Sequence, residues 1–180
     1  MKSVKNDVFG FIVLVLYVDD MLIAAKDRSE IVKLKALLSA EFKMKDLGPA
    51  KRILGMEITR DLKAGKLWLT QSNYARKVIA RFNMQDSKSV SLPLAPHFKL
   101  SSAFCPTDAI EKGLVSKVPY DKALGSLMYL MTCTRPDLAM AMGKVSRYIS
   151  NPRKVHWEAV KWILRYLKGT LDHGLLFDAG

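Results

Sequence analysis

Residues 8–25 read VFGFIVLVLYVDDMLIAA, and the order of apolar and acidic residues in this stretch decides the architecture. A long apolar run ends in Tyr17-Val18-Asp19-Asp20, and a second apolar segment begins at once with Met21. Burying two adjacent carboxylates without partners costs several kcal/mol or more, roughly, so a cation or compensating hydrogen bonds must accompany such a pair. A hairpin resolves the conflict. Residues 8–17 and 21–26 form its strands, residues 18–20 form its tip, and the aspartates stand at the edge of a core where they can hold a metal and still meet a substrate.

Working outward, a helix opens at Asp27-Arg28-Ser29-Glu30, with Asp27 or Ser29 as its cap. Ile31, Leu34, Leu37, Leu38 and Phe42 recur at helical spacing and predict one buried stripe. Gly48-Pro49 stops the chain there. Residues 53–60 read as a strand, 61–65 as a turn and 66–70 as the returning strand. Gly55 marks either a bulge or a close approach of backbone to a ligand. Residues 71–82 are helical, with Tyr74, Val78, Ile79 and Phe82 on one side and Arg76, Lys77 and Arg81 on the other. Residues 83–117 hold Pro93, Pro96 and Pro106 among scattered serines, a connector that is either mobile or wrapped round a neighbour.

The second half reads as helices. Residues 120–132 carry Leu124, Leu127, Met128 and Met131 as a core stripe, with Gly125 and Ser126 permitting close helix packing. Pro136, beside Asp137, restarts the chain as a helix, because proline suits a first helical position and an acid suits its dipole. That helix runs through Met140, Met142, Val145 and Tyr148, and the methionines of these two helices read as core filler. In the last helix, residues 154–168, an apolar face of Val155, Ala159, Val160, Ile163, Leu164 and Leu167 opposes a stripe of Lys154, Lys161, Arg165 and Lys168. The stripe is either a solvated face, with Glu158 pairing to Lys161 or Arg165, or a surface that tracks phosphates. His97, His156 and His173 read as structural.

These segments also resemble a known family. LVLYVDDMLIAA, EFKMKDLGPAKRILGMEITRD, LWLTQSNYARKVIARFNM, SVSLPLAPHFKLS, VPYDKALGSLMYLMTCTRPDLAMAMGKVSRYISNP and HWEAVKWILRYLKGTLDHGLLF are similar, in the same order, to the copia-type LTR-retrotransposon polymerase. YVDD alone is a weak match; the ordered set is specific. The resemblance implies an α+β fold: antiparallel palm hairpins, then a mostly helical thumb and connection. It divides the chain into a partial palm (1–82), an irregular connector (83–117) and a helical region (118–180). It implies two-metal nucleotidyl transfer, with Asp19 as principal and Asp20 as supporting ligand of Mg²⁺ (or Mn²⁺). Tyr17 would pack beside them near the nucleic acid, and Leu54, Gly55, Met56 and Glu57 would occupy the primer grip. The implied partners are an RNA/DNA primer–template and the rest of a Pol polyprotein: fingers, N-terminal palm and ribonuclease H. Only six residues follow Met1 before the apolar strand, which leaves no room for a third catalytic aspartate or for fingers. The expectation is therefore a chain that does not polymerise DNA alone. Other fates are a stand-alone basic module that grips duplexes or a remnant without function.

The bulk numbers agree with a nucleic-acid partner. The 180 residues are 49% hydrophobic and 26% charged, with a formal net charge of +12 that attracts polyanions, nucleic acid first and an anionic membrane surface second. Cys105 and Cys133 are too few for a disulfide framework and neither has ligand spacing, so free thiols in a reducing compartment, cytoplasmic or nuclear, are expected. The basic start before the apolar run imitates a secretory signal, but the run ends in two aspartates and is too short to span a membrane.

Overall fold

The computed structural model describes residues 11–101 and 118–179. Residues 8–10 of the expected first strand, and residues 102–117 of the connector, lie outside them. The described chain is α+β and divides into two units, residues 1–53 and 54–180.

In the first unit, β1 (Ile12–Tyr17) pairs antiparallel with β2 (Asp20–Ala25), with Tyr17 opposite Asp20. The hairpin is the expected one, with a tighter tip: Asp20 already belongs to β2. Helix α1 (Arg28–Glu41) follows, capped by Asp27, whose Oδ1 accepts from the Ser29 amide at 2.8 Å. That bond, with Ser29 and the nearby Lys33 charge adding to it, holds the Asp27 carboxyl below its ordinary value. Lys35 reaches Asp46 at 2.8 Å, and Asp46 also accepts from Gly48 N, which fixes the bend where Gly48 takes φ 75°.

Burial in this unit departs from the sequence reading. Helix α1 has no buried residue: Ile31, Leu34 and Leu38 are half-covered beside β2, while Leu37 and Phe42 are exposed. Every residue of β1 after Ile12 is exposed too. Helical and strand periods report which residues share a face, and a shared face is buried only where another layer covers it. The unit ends in the short strand β3 (Arg52–Ile53).

The second unit holds the core. The strand expected over 53–60 begins only at Met56, because Leu54 and Gly55 form a left-handed turn ahead of it. β4 (Met56–Asp61), β5 (Lys66–Thr70) and β6 (Gly174–Asp178) lie side by side, both pairs antiparallel. The β4–β5 turn is drawn in by Asp61, whose Oδ1 accepts from the amides of Lys63 and Ala64. β6 carried no strand assignment from the sequence, and it completes the sheet from the far end of the chain.

Against this lie α2 (Ser72–Arg81), α3 (Tyr120–Cys133), a 3₁₀ turn at Pro136–Leu138 leading into α4 (Ala139–Val145), and α5 (Lys154–Gly169). Ala75, Val78, Leu124, Leu127, Leu138, Met142, Val160, Ile163, Leu164 and Leu167 form one core that joins helices on both sides of the connector. At about 25 cal/mol per Å² of apolar surface removed from water, the fully buried leucine, isoleucine, valine and methionine side chains among them contribute roughly 2 kcal/mol each. Two expectations for α3 fail. Met128 is exposed and Leu130 takes its place in the core, and Gly125 faces open space, whereas Ser126 is buried. Met140 is exposed as well, so methionine serves as core filler only at Met142 and, partly, at Met131. At about 100° per residue Met140 falls almost opposite Leu138, Met142 and Val145, whereas Met128 lies at the edge of its stripe, where a small rotation decides burial.

Arg135 ties the unit together. Only 2% exposed, it grips both carboxylate oxygens of Asp137 at 3.0 and 2.8 Å and donates to the carbonyl and hydroxyl of Thr170 at 2.8 and 2.6 Å. Tyr166 donates to the same carboxylate at 2.9 Å. The C-terminal end of α5 is thereby locked to the start of the 3₁₀ turn. His156 is fully buried and structural, as expected: its Nδ1 accepts from the Arg153 amide at 3.0 Å and its ring stacks on Tyr148 at 4.0 Å.

Candidate nucleic-acid and metal site

Two turns carry the residues that the sequence singled out. The first is the β1–β2 turn, Val18-Asp19. Val18 sits at φ 50°, a region that branched residues avoid at a cost of about 1 to 2 kcal/mol. Tyr17, Val18, Asp19 and Asp20 are all exposed. Antiparallel pairing fixes the register up to Tyr17–Asp20, so both carboxylates stand on a short, defined hairpin end. Among the described residues no group of three or more histidines, cysteines or acids gathers to hold a metal. Asp19 and Asp20 offer two adjacent oxygen donors, which suits Mg²⁺, an ion that takes one or two carboxylates and keeps its waters.

The second is the Leu54-Gly55 turn, between β3 and β4 in the chain. Leu54 (φ 50°) and Gly55 (φ 71°) are both left-handed. Gly55 adopts this conformation freely; Leu54 does not. The Tyr129 hydroxyl of α3 donates to the Leu54 carbonyl, and the Tyr129 ring meets Tyr74 of α2 edge-on at 5.2 Å. Met56 is half-buried. Glu57 turns toward α2: its carboxylate accepts from the Asn73 amide at 3.2 Å, within the first turn of a helix whose own N-cap, Gln71, supplies no side-chain bond. An acid at that end also matches the helix dipole. The two turns belong to different units.

The cationic stripe of α5 is mostly engaged. Lys161 pairs with Glu158 at 2.8 Å, as the solvated-face reading expects. Arg165 Nε donates to the Lys88 carbonyl at 2.6 Å and its guanidinium stacks over Trp162 at 4.8 Å. Lys168 donates to the Ser87 carbonyl at 2.6 Å, and Trp162 Nε1 to the Leu92 carbonyl at 3.0 Å. Three side chains of one helix thus pin residues 87–92 of the connector. Gly169 permits the approach, since a Cβ there would stand 3.1 Å from Ser89 Cβ. Lys154, at the start of the helix, is exposed.

Sequence reasoning missed Tyr129 and Arg135. Tyr129 reaches a turn 75 positions earlier, and no local pattern announces that. Arg135 stood inside a quoted motif, yet only its proline and aspartate neighbours were given a role.

Comparison with known proteins follows the same lines. The family model for reverse transcriptase (RNA-dependent DNA polymerase) matches residues 3–96. The Retrovirus-related Pol polyprotein from transposon TNT 1-94 of Nicotiana tabacum is 60% identical over 168 residues, 93% of this chain and 13% of that polyprotein. The polyprotein from transposon RE1 of Arabidopsis thaliana is 37% identical over 95% of this chain and 11% of its own length. An uncharacterised mitochondrial protein of Arabidopsis thaliana is 35% identical over 90% of this chain and 63% of its own. No solved structure matches. The chain therefore spans only about an eighth of the tobacco polyprotein. With the ordered motifs, the YVDD hairpin and these relatives in agreement, this chain belongs to the copia-type retrotransposon reverse transcriptases, as a segment corresponding to part of a Pol polyprotein.

Proposed function

We propose that the chain supplies the metal-binding carboxylates and a primer-end grip of a retrotransposon RNA-directed DNA polymerase, working within a longer Pol polyprotein on a primer–template. The observation that carries this reading is the exposed Asp19-Asp20 pair on a register-fixed hairpin end. Among the described residues neither carboxylate makes a side-chain hydrogen bond or ion pair, and strained, exposed turns cluster at functional sites. Leu54 is the second such position, at the turn assigned to the grip. Asp19 and Asp20 would hold a divalent ion, Mg²⁺ in the first instance, which supplies Lewis-acid stabilisation of the transferring phosphoryl group. Tyr17, exposed beside them, would pack against the primer. Leu54 to Glu57 would bear on its terminal nucleotide, and Lys154 on α5 would contribute a phosphate contact.

The test is a chimera in which these 180 residues replace the matching segment of the tobacco polyprotein, assayed by primer extension on an RNA template with Mg²⁺. Extension by the chimera should fall about a hundredfold or more in Asp19→Asn and in Asp20→Asn, the scale of losing a preorganised electrostatic group. Undiminished extension by both variants would overturn the assignment. By itself, the 180-residue chain is expected to bind duplex without extending it, because two-metal chemistry takes more ligands than two aspartates supply.

A second reading, a duplex-gripping module without chemistry, is favoured by the net charge of +12. It predicts binding by the chain that weakens steeply with salt and survives Asp19→Asn.

A further inference from the structure

We infer that Tyr129 is the positioning residue of the Leu54-Gly55 turn: its hydroxyl holds the turn in its left-handed conformation and thereby sets how the turn meets a nucleic-acid end. The inference rests on the primer-end reading above and adds to it a residue from a different helix.

The favoured dipeptide for a two-residue turn with both positions left-handed is Asn-Gly, because asparagine and glycine tolerate positive φ. Here the first position is Leu54, at φ 50°. A strained conformation of this kind persists only where the surroundings over-determine it. The surroundings supply the bond from the Tyr129 hydroxyl to the Leu54 carbonyl. The Tyr129 hydroxyl also lies beside the second turn residue, 3.6 Å from where a Cβ on Gly55 would stand.

Tyr129 is itself well placed to act as a fixed post. It rises from α3 between Leu127 and Leu130, both wholly buried, so its backbone has little freedom. Its ring is braced edge-on by Tyr74 at an interplanar angle of 85°. Yet Tyr129 is 37% exposed, so core filling does not account for it. Glu57, bound to the start of α2, fixes the strand just beyond the turn. Between these two anchors the Gly55 backbone stands exposed.

Tyr129→Phe tests this cleanly, since it keeps the ring and the Tyr74 contact and removes only the donor. In the free 180-residue chain, backbone chemical shifts of Leu54 and Gly55 report φ. They should move toward conformationally averaged values while those of α2 and α3 stay in place. Adding Leu54→Asn should return Gly55 to its left-handed shifts, because the turn then holds itself. In parallel, the chain is titrated against a primer–template with a recessed 3′ end and a blunt duplex of equal length. Wild type should prefer the recessed end, and Tyr129→Phe should reduce that preference about fivefold, the equivalent of one net hydrogen bond. Unchanged turn shifts in Tyr129→Phe would overturn the role of Tyr129. Equal binding of both duplexes by wild type would overturn the primer-end reading instead, and the shifts would still decide whether Tyr129 holds the turn.

Discussion

Arg135 is a buried cation whose bonds go to a carboxylate, a carbonyl and a hydroxyl, and removing it takes a donor from all three while leaving the Tyr166 bond to Asp137 in place. Arg135→Ala should destabilise the fold by about 3 kcal/mol, since Asp137 retains some water, and urea unfolding of both chains measures this. Asp137 gives the same network a pH signature. Burial pushes its carboxyl up, but the Arg135 bonds, the Tyr166 hydroxyl and the Arg135 charge outweigh that and hold it below the ordinary 3.8. A folded-state value below the unfolded one means stability that is complete above about pH 4 and drains as pH falls further. His156 acts in a different window. Burial, with the Arg153 charge adding to it, lowers its value below 6.5 and outweighs the opposing effect of the Ser101 backbone carbonyl. As pH falls through 6.5 the unfolded chain takes up a proton that the folded chain does not, so stability declines there first. A thermal-melt series from pH 8 to 3 should show both steps, and His156→Gln should flatten the upper one.

Elements here are held by close approach as much as by apolar faces. β6 meets β5 at Gly174, where a Cβ would fall on the Leu69 carbonyl oxygen and the Thr70 methyl. The Leu69 carbonyl is backbone of the paired strand and cannot give way without disturbing the ladder, so Gly174→Ala should cost about 2 kcal/mol, typical of overpacking, and should expose the Leu175–Phe177 amides to hydrogen exchange. Helix α5 shows a different economy. Its apolar face fills the core while Trp162, Arg165 and Lys168 fasten the connector over its flank. Cations whose spacing alone is compatible with phosphate binding are in this fold also clasps for backbone carbonyls. Helix α1 is the opposite case. Its cap and its period are correct and its faces stay open, so it is held by local bonds and by what β2 covers.

At the scale of the molecule, the second unit owns a continuous core and the first has no buried residue among those described. Limited proteolysis of the chain should therefore cut first within residues 11–53 and leave a resistant piece covering residues 54–101 and 118–179. A fragment beginning at Leu54 should keep the full cooperative unfolding transition; loss of that transition would show that the first unit contributes to the core's stability. Exposed Val13, Leu14, Val15 and Leu16 also make the hairpin the place where the isolated chain would self-associate.

The sequence by itself determined what is local. Two apolar runs separated by Asp19-Asp20 defined the first hairpin, 3.6-residue spacing defined α2, α3 and α5, and Asp27 announced its own cap, because each signal lies within a few residues of its effect. The ordered motifs carried the family for the same reason: they are read along the chain. Tertiary structure alone decided which stripes are covered, and left α1, Met128 and Met140 open. It decided that Arg135 is buried, that β6 closes the sheet, and that Arg165 and Lys168 clasp the connector. It also decided that Tyr129 holds a turn far away in the chain. Each of these depends on which distant segments meet, and no period or spacing along a chain encodes that meeting.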